Sequence, residues 1–205
     1  MINTSCHDEF KSTLFRTYAI SIDKGKDALY DGKCYPELAP KLSFWKVWHD
    51  NIGKISEEEN NRYYVEQYWK EVLSKLDVEK VYKDLNYSVL LCYEPNTEFC
   101  HRHIVAAWFE LLLGARVAEI NYHFVELEKP TYIKEYLEDV MKANIDMHGF
   151  KSLRAAYLYE KSEKLEGQAA AYMRSEADMI EEKYRKEHKS SVMKKVLDIA
   201  NKKII

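Results

Sequence analysis

The residues best equipped for chemistry lie close together, between positions 92 and 103: Cys92, Glu94, Cys100, His101, Arg102 and His103. A cysteine at the start of a helix, beside a histidine and an arginine, has its thiolate favoured by the helix dipole and the neighbouring cations. Cys100 is therefore read as a nucleophile, with His101 or Glu94 as the proton carrier. An arginine in a first helical turn, together with the free N–H groups there, suits a phosphate or a carboxylate, which is the role read for Arg102. Each residue also has a plainer reading. Cys92 ends an apolar run and reads first as a buried thiol, and Arg102 could serve a surface ion pair. Four cysteines, Cys6, Cys34, Cys92 and Cys100, fall on the loop side of expected strands, and zinc accepts cysteine and histidine freely. Structural zinc sites usually show C-x-x-C pairs and this chain has none, so neither metal nor cofactor is expected.

The elements that must position these side chains follow from periodicity. Tyr87-Ser88-Val89-Leu90-Leu91-Cys92 is a continuous apolar run of strand length, the pattern of a strand buried on both faces. After a polar turn, apolar residues at 104, 105, 108, 109, 112 and 113 make a helical stripe that stops at Gly114. Strand character returns at 116–120, and strand–helix–strand over so short a stretch implies a parallel sheet. Residues 16–22 and the segment ending in Thr4-Ser5-Cys6-His7 read as further strands, giving four or five in all. The stretch 23–40, with two glycines and two prolines, reads as a loop. Ser56-Glu57-Glu58-Glu59 is a capping box that opens a helix carrying Tyr64, Tyr68, Val72 and Leu76 on one face. A short helix over 78–85 follows it. In such sheets ligands gather at the carboxyl edge, where the reactive residues fall.

Composition narrows the function. The chain has 205 residues, of which only 6 are glycine, and no two glycines lie closer than Gly25 and Gly32. Neither a G-x-G-x-x-G turn nor a P-loop can be built from them, so a phosphate would need a helix start and side chains. A net charge of −3 gives no general attraction to nucleic acid. MINTSCHDEF lacks the pattern of a secretory signal and no apolar run is long enough to span a membrane, so a cytoplasmic protein with reduced cysteines is expected.

With these residues in view, the chain resembles the domain of unknown function 488 family. The carriers are Leu90-Leu91-Cys92 with Glu94, and Cys100-His101-Arg102 opening a helix. Thr4-Ser5, Ala19-Ile20-Ser21-Ile22 and Tyr35-Pro36-Glu37-Leu38-Ala39-Pro40 agree with the branch that has a short YTS-type start, and the likeness spans about residues 1–125. The resemblance implies a fold and a site but no reaction. It adds Thr4, Ser5 and Lys24 as ligand-binding residues. Lys24 stands where members often carry arginine, and lysine cannot make the two-pronged contact to an oxyanion.

Beyond Pro130 the character changes. Thr131 can cap a helix to about His148, and residues from about 150 to 203 read as helical almost throughout. Leu158, Leu165, Tyr172 and Met179 recur every seventh residue, a seam suited to packing on the domain or across a dimer. The tail from Lys183 is basic, with Val192, Val196, Leu197 and Ala200 on one face.

The sequence thus predicts an α/β domain over 1–128, its mostly parallel sheet flanked by helices, and an α-helical C-terminal extension over 129–205. The leading function is a site for an anionic small molecule, such as a nucleotide or phosphorylated metabolite. Cys100, His101 and Glu94 would do its chemistry, and Arg102, Thr4, Ser5 and Lys24 would bind. The alternative is a non-enzymatic protein that forms a homodimer or grips a partner through the C-terminal helices. Nucleic acid is a less favoured partner, and no membrane is expected.

Overall fold

The computed structural model describes residues 1–10 and 15–202. They fall into two compact units, Met1–Ala143 and Asn144–Ile205, so the helix after Pro130 belongs to the first, whereas the sequence reading drew its line after residue 128.

The first unit is an α/β sheet protein built around β4 (Ser88–Cys92), all five residues of which are buried. Both of its faces are covered, which is why it reads as an unbroken apolar run rather than an alternating one. On one side it pairs in parallel with β1 (Ile2–Cys6), in a register running from Ile2 opposite Ser88 to Cys6 opposite Cys92. On the other side it pairs in parallel with β2 (Arg16–Ala19), and β2 with the two-residue β3 (Lys33–Cys34). Past β1 lie β5 (Ala118–Ile120), parallel, and β6 (Glu126–Leu127), antiparallel. The order is β3-β2-β4-β1-β5-β6, six strands where four or five were expected. The additional ones are two-residue edges, too short for any periodicity to show.

The helices arise as their patterns predict, with one exception. Helix α2 (Glu57–Glu71) starts at Ser56, whose Oγ accepts the Glu59 N–H at 3.2 Å. Its buried side includes Tyr64, Val65 and Tyr68. Helix α3 (Val78–Asp84) is capped by Asp77, and α4 (His101–Leu113) ends on Gly114 at φ 62°, a backbone shape that glycine adopts without a side-chain clash. The exception is α1 (Leu42–Asp50), which has no side-chain N-cap to mark its start and buries only Phe44. Helix α5 (Tyr132–Asn144) follows β6. The crossover β4–α4–β5 passes over β1 and puts the start of α4 at the carboxyl edge of the sheet.

The second unit contains α6 (Leu153–Glu163) and α7 (Gly167–Lys202), packed on each other. Gly167, at φ 62°, follows the break at 164–166, so the sevenfold seam does not run along one helix: Leu158 is on α6, Leu165 in the turn, and Tyr172 and Met179 on α7. The buried side of the unit uses Leu153, Ala155, Ala156, Ala170 and Ala177 instead. The apolar face read at Val192, Val196, Leu197 and Ala200 lies outside the residues whose side chains are described. Among the described residues no helix is long and apolar enough to cross a membrane.

Candidate active site

The chain leaves β4 at Cys92, turns through 93–99 and enters α4, so strand end and helix start face each other. Cys92 Sγ and Cys100 Sγ lie 3.1 Å and 2.8 Å from the same oxygen, Glu94 Oε2. His101 Nδ1 is 3.7 Å from Cys92 Sγ and 3.9 Å from Cys100 Sγ. The other ring nitrogen, Nε2, lies 3.0 Å from the Ile20 carbonyl just past β2. A carbonyl only accepts, so Nε2 carries a hydrogen, and Nδ1 is the ring nitrogen that faces the sulfurs. The two sulfurs and Nδ1 all lie within 4.8 Å of one another.

These groups set each other's charge. Burial opposes ionisation of Cys100, but the thiol of Cys92 and the positive charges of Arg102 and His101 outweigh it and hold Cys100 well below the ordinary cysteine range. Burial, and the sulfur of Cys100 beside it, push Cys92 in the opposite direction, well above that range. Burial and then the charge on Cys100 raise Glu94 to about 7. For His101 burial favours the neutral ring, yet Cys100 and Glu94 together raise it.

Above the cluster opens a cavity of about 300 Å³. Pro40, Leu42, Trp45, Trp48, Tyr64 and Phe99 form its walls, and Cys92, Glu94, Cys100 and His101 its floor. The rings brace one another: Trp48 is 5.4 Å from Tyr64 and 5.7 Å from Phe99, and Tyr64 meets Phe99 edge-on at 5.2 Å. On the rim stand Ser21, Asp23, Asp27 and Tyr93. The Asp23 carboxylate accepts from the Tyr93 hydroxyl, from Ser21 Oγ at 2.7 Å, and from the N–H groups of Gly25 and Asp27 at 3.0 Å. Burial opposes its ionisation, but these donors hold it well below the usual carboxylate range. Among the described residues the lining thus has three carboxylates and no lysine or arginine.

The remaining predicted residues sit elsewhere. Arg102 is fully buried, and its Nε donates to Glu119 Oε1 of β5 at 3.1 Å, with Nη2 at 3.0 Å from the same oxygen. His103 Nε2 is 3.4 Å from the other oxygen, Oε2. Arg102 therefore ties α4 to β5 and does not line the cavity. The hydroxyls of Thr4 and Ser5 donate to the carbonyls of Ala118 (3.4 Å) and Ile120 (2.6 Å), pinning β1 to β5. Lys24 is exposed at φ 63° and lines no part of the cavity. The structure thus brings Glu94, Cys100 and His101 together, adds Cys92, and leaves Thr4, Ser5, Lys24 and Arg102 outside. The aromatic walls from α1 went unread, as did Asp23. The signal for Asp23 is Ser21-x-Asp23 before a glycine, a side-chain-bonded turn.

A mostly parallel α/β sheet carries a cysteine–glutamate–histidine cluster at its carboxyl edge, beneath an aromatic cavity, and this arrangement defines the class of protein. The model of the family described as "Active DUF488-N3 subclade" matches residues 7–112, and the chain belongs to that family. The match lies inside the span over which the resemblance was read, begins after Thr4 and Ser5, and leaves the C-terminal helices beyond it. No curated protein and no solved structure matches the chain.

Proposed function

We propose that the first unit is an enzyme for a small planar molecule, with its reaction centre on the floor of the cavity. The observation that carries this reading is the convergence of two sulfurs, an imidazole nitrogen and a carboxyl group beneath aromatic walls. Buried polar groups of this kind are costly to a fold unless they serve something. Glu94, in reach of both sulfurs and of the cavity, is the proton carrier. The ligand is uncharged or cationic: among the described residues the lining offers three carboxylates and π-faces but no lysine or arginine, and the charge of His101 is already matched by Cys100 and Glu94, so the phosphate of an anionic ligand finds little counter-charge there. That departs from the anionic compound expected of the sequence, because Arg102 is spent on Glu119.

Thermal shift of the full chain tests it, with uncharged and cationic heterocycles set against their phosphorylated counterparts. The uncharged or cationic compounds should stabilise the chain more, and Trp45→Ala should abolish the effect. No stabilisation at millimolar ligand, or stabilisation indifferent to Trp45→Ala, refutes the reading. For a ligand that binds, Glu94→Gln should retain binding and stop product formation.

A second reading, a homodimer through the C-terminal helices, is favoured by one observation. Tyr172 and Met179, a heptad apart on α7, are 68% and 60% exposed. Light scattering should then give a dimer that Tyr172→Lys/Met179→Lys dissociates, and a monomeric full chain removes it.

A further inference from the structure

The geometry points to a zinc(II) site in which Cys92 Sγ, Cys100 Sγ and His101 Nδ1 are the ligands and the fourth position opens into the cavity. Zinc–sulfur bonds of about 2.3 Å and zinc–nitrogen bonds of about 2.0–2.1 Å, set at tetrahedral angles, put sulfur and nitrogen about 3.6 Å apart. The observed separations are 3.7 and 3.9 Å, so each sulfur stands close to the tetrahedral distance from Nδ1, and the two sulfurs lie within 4.8 Å of each other. The histidine is prepared for this role, since the Ile20 carbonyl holds Nε2–H and leaves Nδ1 as the ligating atom. The ligand types favour zinc: two soft sulfurs and an imidazole, buried, with no oxygen cage. Two thiolates also cancel the charge of a divalent cation, so the metal and its ligands add no net charge to the pocket floor.

The missing C-x-x-C pair does not count against this site. That spacing serves small loops that wrap a metal by themselves, whereas here the strand end carries one sulfur and the helix start carries the other sulfur and the ring. Sheet and helix packing bring them together across the intervening turn.

Glu94 is not one of the three ligands. Its carboxyl group lies beside both sulfurs and lines the cavity, the place of a base for water on the fourth position. This step rests on the reading of the cavity as an enzyme site, and makes the reaction a hydrolysis. Water gives one proton to Glu94 while its oxygen bonds to an electrophilic carbon of the substrate. The bond from that carbon to the leaving group then breaks, the electron pair goes with the leaving group, and the leaving group takes the proton from Glu94.

The test uses the full chain, purified without chelator, loaded with zinc(II) and desalted. It should retain about one zinc per chain. Loaded with cobalt(II) instead, it should show a sulfur-to-cobalt charge-transfer band and the intense visible bands of a tetrahedral centre. Cys92→Ser and Cys100→Ser should each lose these bands, and the Cys6→Ser/Cys34→Ser double variant should keep them. If the serine variants do not fold, the unaltered chain decides: zinc should protect Cys92 and Cys100, and not Cys34, from alkylation read by mass spectrometry. A chain that holds neither metal overturns the proposal, as does a cobalt spectrum that survives Cys100→Ser or alkylation of Cys100 at one rate with and without zinc. In each case ligand binding that depends on Trp45 would still stand, so the two readings fail separately.

Discussion

Replacing Glu119 by glutamine should destabilise the first unit by about 3 kcal/mol, because breaking a buried ion pair costs roughly 3–5 kcal/mol by leaving one charge uncompensated. Arg102 and Glu119 are almost wholly inaccessible, and Arg102 Nη1 is already buried without an acceptor. An amide oxygen could still accept from Nε, where Glu119 now stands at 3.1 Å, which keeps the loss at the lower end. All four tryptophans, Trp45, Trp48, Trp69 and Trp108, belong to the first unit, so urea unfolding followed by tryptophan fluorescence isolates it from the second. Replacing both partners, as in Arg102→Met/Glu119→Met, should recover most of the loss, since neither charge of the pair is left behind unmatched. The pH dependence has a definite sign. Burial opposes ionisation of Glu119, but His103 and Arg102 outweigh it and depress its folded value. Its contribution is therefore complete above the unfolded carboxylate range and is lost as pH falls through the folded value, a fall that Glu119→Gln should flatten. A single variant within about 0.5 kcal/mol of the parent, the scatter of ordinary surface changes, would falsify this account. So would a double variant no better than the single one.

Three further outcomes follow. Gly25→Ala should cost the first unit about 1–2 kcal/mol or more, since φ is 78° there and a Cβ would come within 2.8 Å of Tyr30 Cβ; fluorescence-detected urea unfolding measures it, and an unchanged midpoint contradicts it. Tyr68→Phe should cost about 1–2 kcal/mol by orphaning the buried Leu38 carbonyl, which accepts the Tyr68 hydroxyl at 2.5 Å, and a loss below half of that speaks against the bond. In the second unit Glu181 accepts from the N–H groups of Lys151 and Ser152 at 2.9 Å ahead of α6, and Glu181→Gln should raise hydrogen exchange over 153–163. Burial opposes ionisation of Glu181, but Arg185 and these N–H groups hold it low. In the parent chain that protection should fall as pH drops through the folded Glu181 value, and exchange rates equal in parent and variant at neutral pH would refute the role.

What could be read from the residues depended on how much local pattern each feature carried. β4 and α4 were legible because an unbroken apolar run and a stripe ending in Gly114 are strong, local signals. Helix α1 was not, since it has no side-chain N-cap and buries only Phe44, while Trp45 and Trp48 line the cavity. Glu94, Cys100 and His101 are neighbours in the chain, so their chemistry showed at once. Arg102 misled for the opposite reason. Its partner, Glu119, sits in another strand, and only a carboxylate lodged between Val117 and Ile120 hinted that a buried cation was needed. Thr4 and Ser5 likewise answer to β5 carbonyls more than a hundred residues away, a relation that no local spacing reveals.

The two outer strands, β3 and β6, are only two residues long. Such stubs offer a neighbouring molecule almost no free ladder of N–H and C=O groups to zip onto. The sheet therefore gives strand addition a poor template at either margin, and edge-to-edge growth during synthesis finds little to build on.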